Sequence, residues 1–305
     1  MISEIRIVTM SVADLDSSMQ FYKEAFHFAE IGRGTIGGKG FEKAWRMPPG
    51  MKGEASVIAA EGKQTGVLRL VQFNRTGEEI FTRLQDYGPC VVNFRARDLR
   101  ALWPRLLKVG AVEKSPPTYW ELVHNVWDAQ FFDPDGIIID IFEIECDPDD
   151  PMGIQTIEVS EVQTMAIHVV DTDRSKKFYQ KLGFEIFYDK MVENMDAFFR
   201  VPKGTKLHNV NLMKKQGSPN GRIELVQYIG LPGQSVRDKA VPPNIGILSI
   251  SFETDNIEQT CELVRAAGGQ EISKPVQVTL PFFGNTRLAT YFGPDGEALE
   301  FYQRL

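Results

Sequence analysis

Glu224, Glu300 and His168 are the side chains in this sequence best suited to chemistry. Each falls in a short run that alternates as a strand does. Residues two apart on a strand share a face, so the runs can be sorted into two sides. In the first run, Met165, Ile167 and Val169 make an apolar side, which leaves Thr164, Ala166 and His168 on the other. The same rule gives Glu224, Val226 and Tyr228; Ser249, Ser251 and Glu253; and Ala298, Glu300 and Tyr302. Two carboxylates close together in a dry hollow cannot both stay ionised. Either a divalent cation lies between them, or one takes a proton and becomes a proton carrier. The plainer alternative is a wet hollow with both carboxylates solvated. His168 lies four residues beyond Thr164, about 13 Å along an extended strand, and would act as base or as compensating imidazolium.

The elements that must position these residues repeat. The stretch Gln163 to Phe184 reads as a strand, a turn at Asp171-Thr172-Asp173, and an amphipathic helix carrying Phe178, Tyr179 and Leu182. A weaker copy runs from Ile7 to Phe28, with Asp14, Asp16, Ser18, Phe21 and Tyr22 each 157 residues before its counterpart. Such a repeat has to be recognised before any fold is assigned. Asp14 is a helix N-cap candidate. Gly32 to Gly40 reads as a loop, followed by strands near 41–47, 55–60 and 66–73. A second module opens with the strand Pro89–Ala96 and a helix from Leu99 to Val109 that Gly110 ends. Strands follow near 119–123, 127–132 and 136–143, the last two joined by the turn Asp133-Pro134-Asp135-Gly136. Cys146 to Gly153 is the natural linker, with two prolines and a run of acidic residues. The pattern then restarts: 161–228 copies the first module and 245–305 the second, and Gly293-Pro294-Asp295-Gly296 echoes the earlier turn.

Four βαβββ modules, with D-x-D-x-S-x-x-F-Y on one helix and D-P-D-G before a closing strand, resemble the vicinal oxygen chelate superfamily. That group contains glyoxalases, extradiol dioxygenases and bleomycin-resistance proteins. The resemblance implies an α+β fold: two cup-shaped mixed sheets with helices outside, each built from two modules. Pairing first with second and third with fourth is the default, giving a scaffold domain at 1–146 (modules 4–73 and 89–144) and a ligand-bearing domain at 154–305 (modules 161–228 and 245–305). First with fourth also occurs in the group. Enzymes of the group hold a divalent metal on the first strand of each module and on a carboxylate of the last strand. The matching positions are Thr164, Glu224, Ser249 and Glu300 in one cup, and Ile7, Arg69, Val91 and Asp140 in the other. The imidazoles of an extradiol dioxygenase are missing from both, which argues against that chemistry. Under the default pairing, Arg69 and Asp140 neutralise each other, or Arg69 and Arg95 make an anion pocket. Glu224 and Glu300 then hold a metal or move a proton in the second cup, with His168 assisting. Thr164, Ser249, Ser251, Tyr228, Tyr302, Phe199 and His208 would line the ligand site, and Phe198, Phe282 and Phe283 would add aromatic surface.

The resemblance therefore implies isomerase- or lyase-like proton transfer on a small, partly apolar carbonyl or phenolic compound. The alternative is a metal-free protein that binds or sequesters such a compound. The rest of the sequence bounds these readings. With 305 residues the chain can bury two ordinary cores. A net charge of −7 with interspersed signs argues against nucleic acid and anionic membrane as partners. A second copy of the chain is a further candidate partner. The start shows no basic segment followed by an apolar one, and no apolar run reaches the roughly 18 to 20 residues of a membrane span. Cys90, Cys146 and Cys261 are scattered and odd in number, which fits a reducing cytoplasm. His27 would complement the end of the first helix. His124 and His208 would lie on or beside strands, at a cup rim at most.

Overall fold

The computed structural model describes every residue except 81, 82, 84, 122–124 and 146–154. His124, Cys146 and the expected linker lie outside the described residues. The first module is β1 (Ile2–Ser11), α1 (Leu15–Phe26), β2 (Ala29–Gly37), α2 (Lys39–Ala44), β3 (Lys52–Ala59) and β4 (Val67–Phe73). The second is β5 (Gly88–Arg95), α3 (Leu99–Lys108), β6 (Val112–Glu121), β7 (Asn125–Phe132) and β8 (Ile138–Glu145). The third is β9 (Thr164–His168), α4 (Thr172–Lys181), β10 (Phe184–Val192), α5 (Asp196–Phe199), β11 (Lys206–Lys214) and β12 (Arg222–Ile229). The fourth is β13 (Gly246–Thr254), α6 (Ile257–Ala267), β14 (Gln270–Leu280), β15 (Gly284–Phe292) and β16 (Ala298–Arg304). Among the described residues no helix is long and apolar enough to cross a membrane.

These elements make the two expected mixed sheets, but the default pairing of modules is not the one observed. The outer sheet runs β14-β15-β16-β13-β1-β4-β3-β2 and joins the first module to the fourth. The inner sheet runs β10-β11-β12-β9-β5-β8-β7-β6 and joins the third to the second. Each seam is an antiparallel pair of first strands, β1 on β13 and β5 on β9. Both sheets therefore take one module from each half of the chain. This pairing brings Arg69 to Glu300, so two charges expected in different bowls cancel in one.

The long helices cover the convex faces, and one apolar core runs between them from sheet to sheet. Phe26 of α1 lies 5.1 Å from Phe94 of the inner sheet, and Phe184 lies 5.8 Å from Phe252 of the outer one, centroid to centroid. Two local expectations fail for a single reason. The glycine-rich stretch is mostly strand β2, and the strand expected near 41–47 begins as helix α2. A Cβ on Gly32 would sit 2.6 Å from that of Phe282, and one on Gly40 would sit 2.7 Å from the Gln277 carbonyl oxygen. Glycine lets the edge of the first module close against the fourth, a demand set by distant chain.

The two repeated motifs turn out to be halves of one clamp. Asp14 caps α1 by accepting from Ser17 N at 2.8 Å. One turn on, Ser18 Oγ donates to Asp135 Oδ2 at 2.6 Å, and Tyr22 Oη donates to Asp133 Oδ2 at 2.8 Å. The helix belongs to the outer sheet's first module and the turn to the inner sheet, so the contact staples sheet to sheet. On the other side, Ser175 donates to Asp295 at 2.5 Å and Tyr179 Oη to Glu297 Oε1 at 2.6 Å. Here the carboxylate that answers the tyrosine comes from four residues later in the turn. Gly293 replaces the aspartate, and a Cβ on it would lie 2.1 Å from Glu297 Oε1, so only glycine leaves Glu297 room.

Burial is the main reason the clamp carboxyls titrate high, with a neighbouring aspartate adding to it in each case. Asp133 rises from 3.8 to about 7 and Glu297 from 4.5 to about 8. A folded value above the unfolded one means that folding favours the protonated form. The contribution is complete below about pH 4 and is lost as pH rises through 7 and 8. In urea denaturation between pH 5 and pH 8, the wild type should therefore lose stability relative to Glu297→Gln; parallel curves would refute the high titration. Tyr22→Phe and Tyr179→Phe should each cost about 1–3 kcal/mol, since each leaves a buried carboxyl oxygen without its donor. A loss under about 0.5 kcal/mol in both would show that the clamp holds nothing together.

Candidate functional site

The outer bowl is full. Its concave side is packed by Ile7, Phe41, Trp45, Val57, Val71, Leu288, Tyr302 and their neighbours, with α2 laid into the opening. Arg69 has no exposed surface and reaches Glu300, equally buried, with Nη2 2.9 and 2.8 Å from the two carboxylate oxygens. Thr9 Oγ1 accepts from the same guanidinium at 3.1 and 2.6 Å, and Trp45 lies under it at 4.8 Å. Ser249 and Ser251 donate their hydroxyls to Glu300. The predicted site residues of the fourth module are thus enclosed: Glu300, Ser249 and Ser251 join one hydrogen-bonded network, and Tyr302 packs in the filled bowl with its ring 5.5 Å from that of Phe283. The expected carboxylate pair is not formed, because Glu300 and Glu224 belong to different sheets. The expected Arg69–Asp140 neutralisation and the Arg69–Arg95 anion pocket fail for the same reason.

The inner bowl is open. It holds a cavity of about 210 Å³ whose wall includes Glu224, His168, Thr164, Tyr228 and Phe199. These five expected residues are brought together. His208 is not: its ring bonds outward to Asp189, at 2.7 Å, and to Thr172. Opposite Glu224, the swapped pairing places Asp140, the carboxylate of the second module's last strand. Asp128 stands beside Asp140 on the neighbouring strand.

Hydrogen bonds tie this cluster down. Glu224 accepts from Asn93 Nδ2 at 2.5 Å, from Asn209 Nδ2 at 2.6 Å and from Thr164 Oγ1 at 3.3 Å. Asp140 accepts from Gln130 Nε2 at 2.7 Å, and Gln130 in turn accepts from Lys114 Nζ at 2.5 Å. Burial raises the Asp140 carboxyl to about 6, with Glu224 adding to the rise while Asp128 and Gln130 hold it down. Asp128 is pushed well above the usual carboxylate range, first by burial and then by Asp140. Both carboxyls of the Asp128–Asp140 pair are thus shifted toward the protonated form. Lys114 falls from 10.5 to about 8, mainly through burial. His168 packs edge-on against Tyr228, with centroids 4.9 Å apart.

Sequence reasoning passed over Asp128, Gln130, Asn209 and Asn211, although a signal was present. Val126, Asp128 and Gln130 alternate along β7, and Asn209 and Asn211 along β11, which is the spacing of one strand face. Asp140 falls on the expected face but in the bowl shared with the third module rather than the first.

The residues present do not make a metal site. Of the four positions that would supply ligands, Val91 has no donor atom and Thr164 offers a neutral hydroxyl. Both Glu224 oxygens already face amide N–H groups, which repel a cation as they attract the carboxylate. Among the described residues no group of three or more His, Cys, Asp or Glu side chains is arranged to hold a metal ion.

Comparisons with known proteins agree with this architecture. The model of the Glyoxalase/Bleomycin resistance protein/Dioxygenase superfamily matches residues 4–141 and 161–301. Glyoxalase I from Zea mays superposes with a TM-score of 0.68 at 17% identity, covering 99% of this chain and 92% of that one. A putative dioxygenase from Bacillus subtilis gives 0.66 at 13% identity, covering 99% and 86%. At such identities the likeness is one of fold. A search of curated proteins finds no match.

The two bowls make opposite demands on mutation. Arg69→Met should cost about 3–5 kcal/mol by leaving Glu300 buried and unpaired, and Arg69→Met with Glu300→Leu should recover most of it. Denaturant midpoints check this; a double variant no better than the single one would show that the outer bowl needs its charges.

Proposed function

The chain belongs to the glyoxalase/bleomycin resistance protein/dioxygenase superfamily, and we propose that it catalyses proton transfer on a small, partly apolar carbonyl or phenolic compound in the bowl of its second and third modules. The observation that carries this reading is the unequal treatment of the carboxyls there. Glu224 is held as an acceptor by three donors, whereas desolvation pushes Asp128 and Asp140, side by side on neighbouring strands, toward the protonated form. Carboxyls in such unlike surroundings are how one pocket supplies both base and acid. Glu224 takes a proton from the bound compound. The Asp128–Asp140 pair returns one on the opposite side, and its basicity is set through Gln130 and Lys114. His168 and Tyr228 shape the wall beside them. No step passes through a metal.

The size of the cavity supports a small substrate. A site of about 150 Å³ holds benzene, so about 210 Å³ accommodates a single ring with a short substituent. Apolar Val126, Phe142, Val192, Met195 and Phe199 form much of the wall, as in small-molecule sites generally. The same fit also favours a second reading, a metal-free binding or sequestering protein, because Val91 and Thr164 stand where ligating side chains would. The buried thiols of Cys90 and Cys261 fit a reducing compartment for either reading.

Proton transfer to carbon leaves an isotopic trace. Incubated in D₂O with the small-molecule fraction of a cell extract, the wild type should catalyse deuterium incorporation into one component, read by mass spectrometry. Glu224→Gln should slow this at least ~100-fold while keeping the fold, in line with loss of a positioned base. Undiminished incorporation would remove Glu224 from the role. Binding of a component without incorporation would favour the sequestering protein.

A further inference from the structure

The inner bowl has a hydrogen-bond polarity. Glu224 dictates it, because a carboxylate offers only acceptors and every amide beside it must turn its N–H inward. Asn93 Nδ2 serves both Glu224 and Thr164, each at 2.5 Å. Turned over, it would bring its oxygen against the carboxylate, so its orientation is fixed. Asn211 Nδ2 donates to Asn209 Oδ1 at 3.3 Å, and Asn209 passes its own N–H to Glu224. On the opposite wall, Gln130 turns its N–H to Asp140.

The N–H groups of these four amides are therefore engaged within the protein. What remains unmatched is mostly acceptor: Asn93 Oδ1, Asn211 Oδ1 and Asp128 Oδ1 are buried without a partner. Gln163 keeps both its oxygen and its N–H unmatched. All four residues belong to the wall of the same cavity. Buried polar atoms without partners are rare and each calls for an explanation. A ligand that donates would supply one here. Arg222 lies in the same wall as a donor, with its guanidinium over the Phe187 ring at 4.7 Å.

Resting on the reading of this bowl as the working site, we propose that it selects compounds whose polar end donates hydrogen bonds. The head is a hydroxyl or amine on a body of about one ring, set against Glu224, Asp128 and the carbonyls of Asn93 and Asn211. Anionic acids and bare carbonyls are rejected at this head because they bring acceptors to acceptors, while the charge of Arg222 is already answered by Glu224. Mismatched polar groups in a buried site carry most of a pocket's discrimination. Of the two substrate classes above, this favours the phenolic one, or a carbonyl compound that also carries a hydroxyl.

The test uses one skeleton with five heads: benzyl alcohol, benzylamine, benzaldehyde, benzoate and toluene. Dissociation constants are measured by calorimetry or ligand-observed NMR on the full chain. Benzyl alcohol or benzylamine should bind at least ~10-fold tighter than benzaldehyde and benzoate; which of the two leads tells whether the donor is neutral or charged. In Glu224→Gln the preference should shrink to within ~3-fold, with toluene binding unchanged as the check that the bowl is intact. Equal or tighter binding of benzoate or benzaldehyde overturns the proposal. So does a preference that survives Glu224→Gln, or the absence of binding by all five. A donor preference without deuterium incorporation keeps the ligand class and removes the catalytic reading. Incorporation with an acid or carbonyl preference does the reverse.

Discussion

An arginine with no exposed surface, seated on a glutamate with none, settles which of two similar bowls is filled. Arg69 and Glu300 come from opposite ends of the chain, and neither is tolerable in the interior without the other. Their meeting requires the first module to pair with the fourth. Once that is fixed, the second and third modules are left to each other. The inner bowl then inherits carboxyls from both its modules, Asp128 and Asp140 from one and Glu224 from the other. The outer bowl, neutralised and packed by α2 and Trp45, has become core.

The same pairing explains why the two sequence motifs coexist. Read alone, the Asp-Ser-Phe-Tyr spacing marks a helix start and an amphipathic face, and Asp-Pro-Asp-Gly marks a turn. In the structure the serine and tyrosine of each helix close on the acidic turn of the opposite sheet. Two such contacts, one on each side, stop the sheets from sliding across the shared apolar core. That rigidity matters to the inner bowl, whose wall takes carboxyls from modules joined across the seam.

The fold was legible because its signals are local and repeated. Strand alternation, N-cap aspartates and the turn at Asp133 each concern a few consecutive residues, and a second copy 157 to 160 residues away removes chance. Module pairing was not legible, because it depends on contacts between residues more than two hundred positions apart, such as Arg69 with Glu300. The error then passed to the site. Glu224, His168, Thr164, Tyr228 and Phe199 were found from strand parity alone, which is local. Glu300, Ser249, Ser251 and Tyr302 were on the correct face of the wrong bowl. The glycines before α2 misled for the same reason, since the backbone they admit belongs to β14 and the loop after it.

Glu224 shows how one buried group can set the character of a whole pocket. A buried carboxylate must collect donors, and here, with the Arg222 charge on the same strand, it collects amides from β5 and β11. Each amide has two ends, so satisfying the carboxylate pushes an acceptor outward. The preference for a donating ligand is thus the far side of the arrangement that keeps Glu224 in place, and the two cannot be altered independently. Replacing the carboxylate by its amide frees the neighbours to turn, which is why Glu224→Gln should abolish both the base and the selectivity. In the outer bowl the equivalent problem is solved by a guanidinium, whose donors are all of one kind and leave no acceptor to project. A bowl closed by Arg69 is silent, and a bowl closed by asparagines keeps a polarity that a ligand can read.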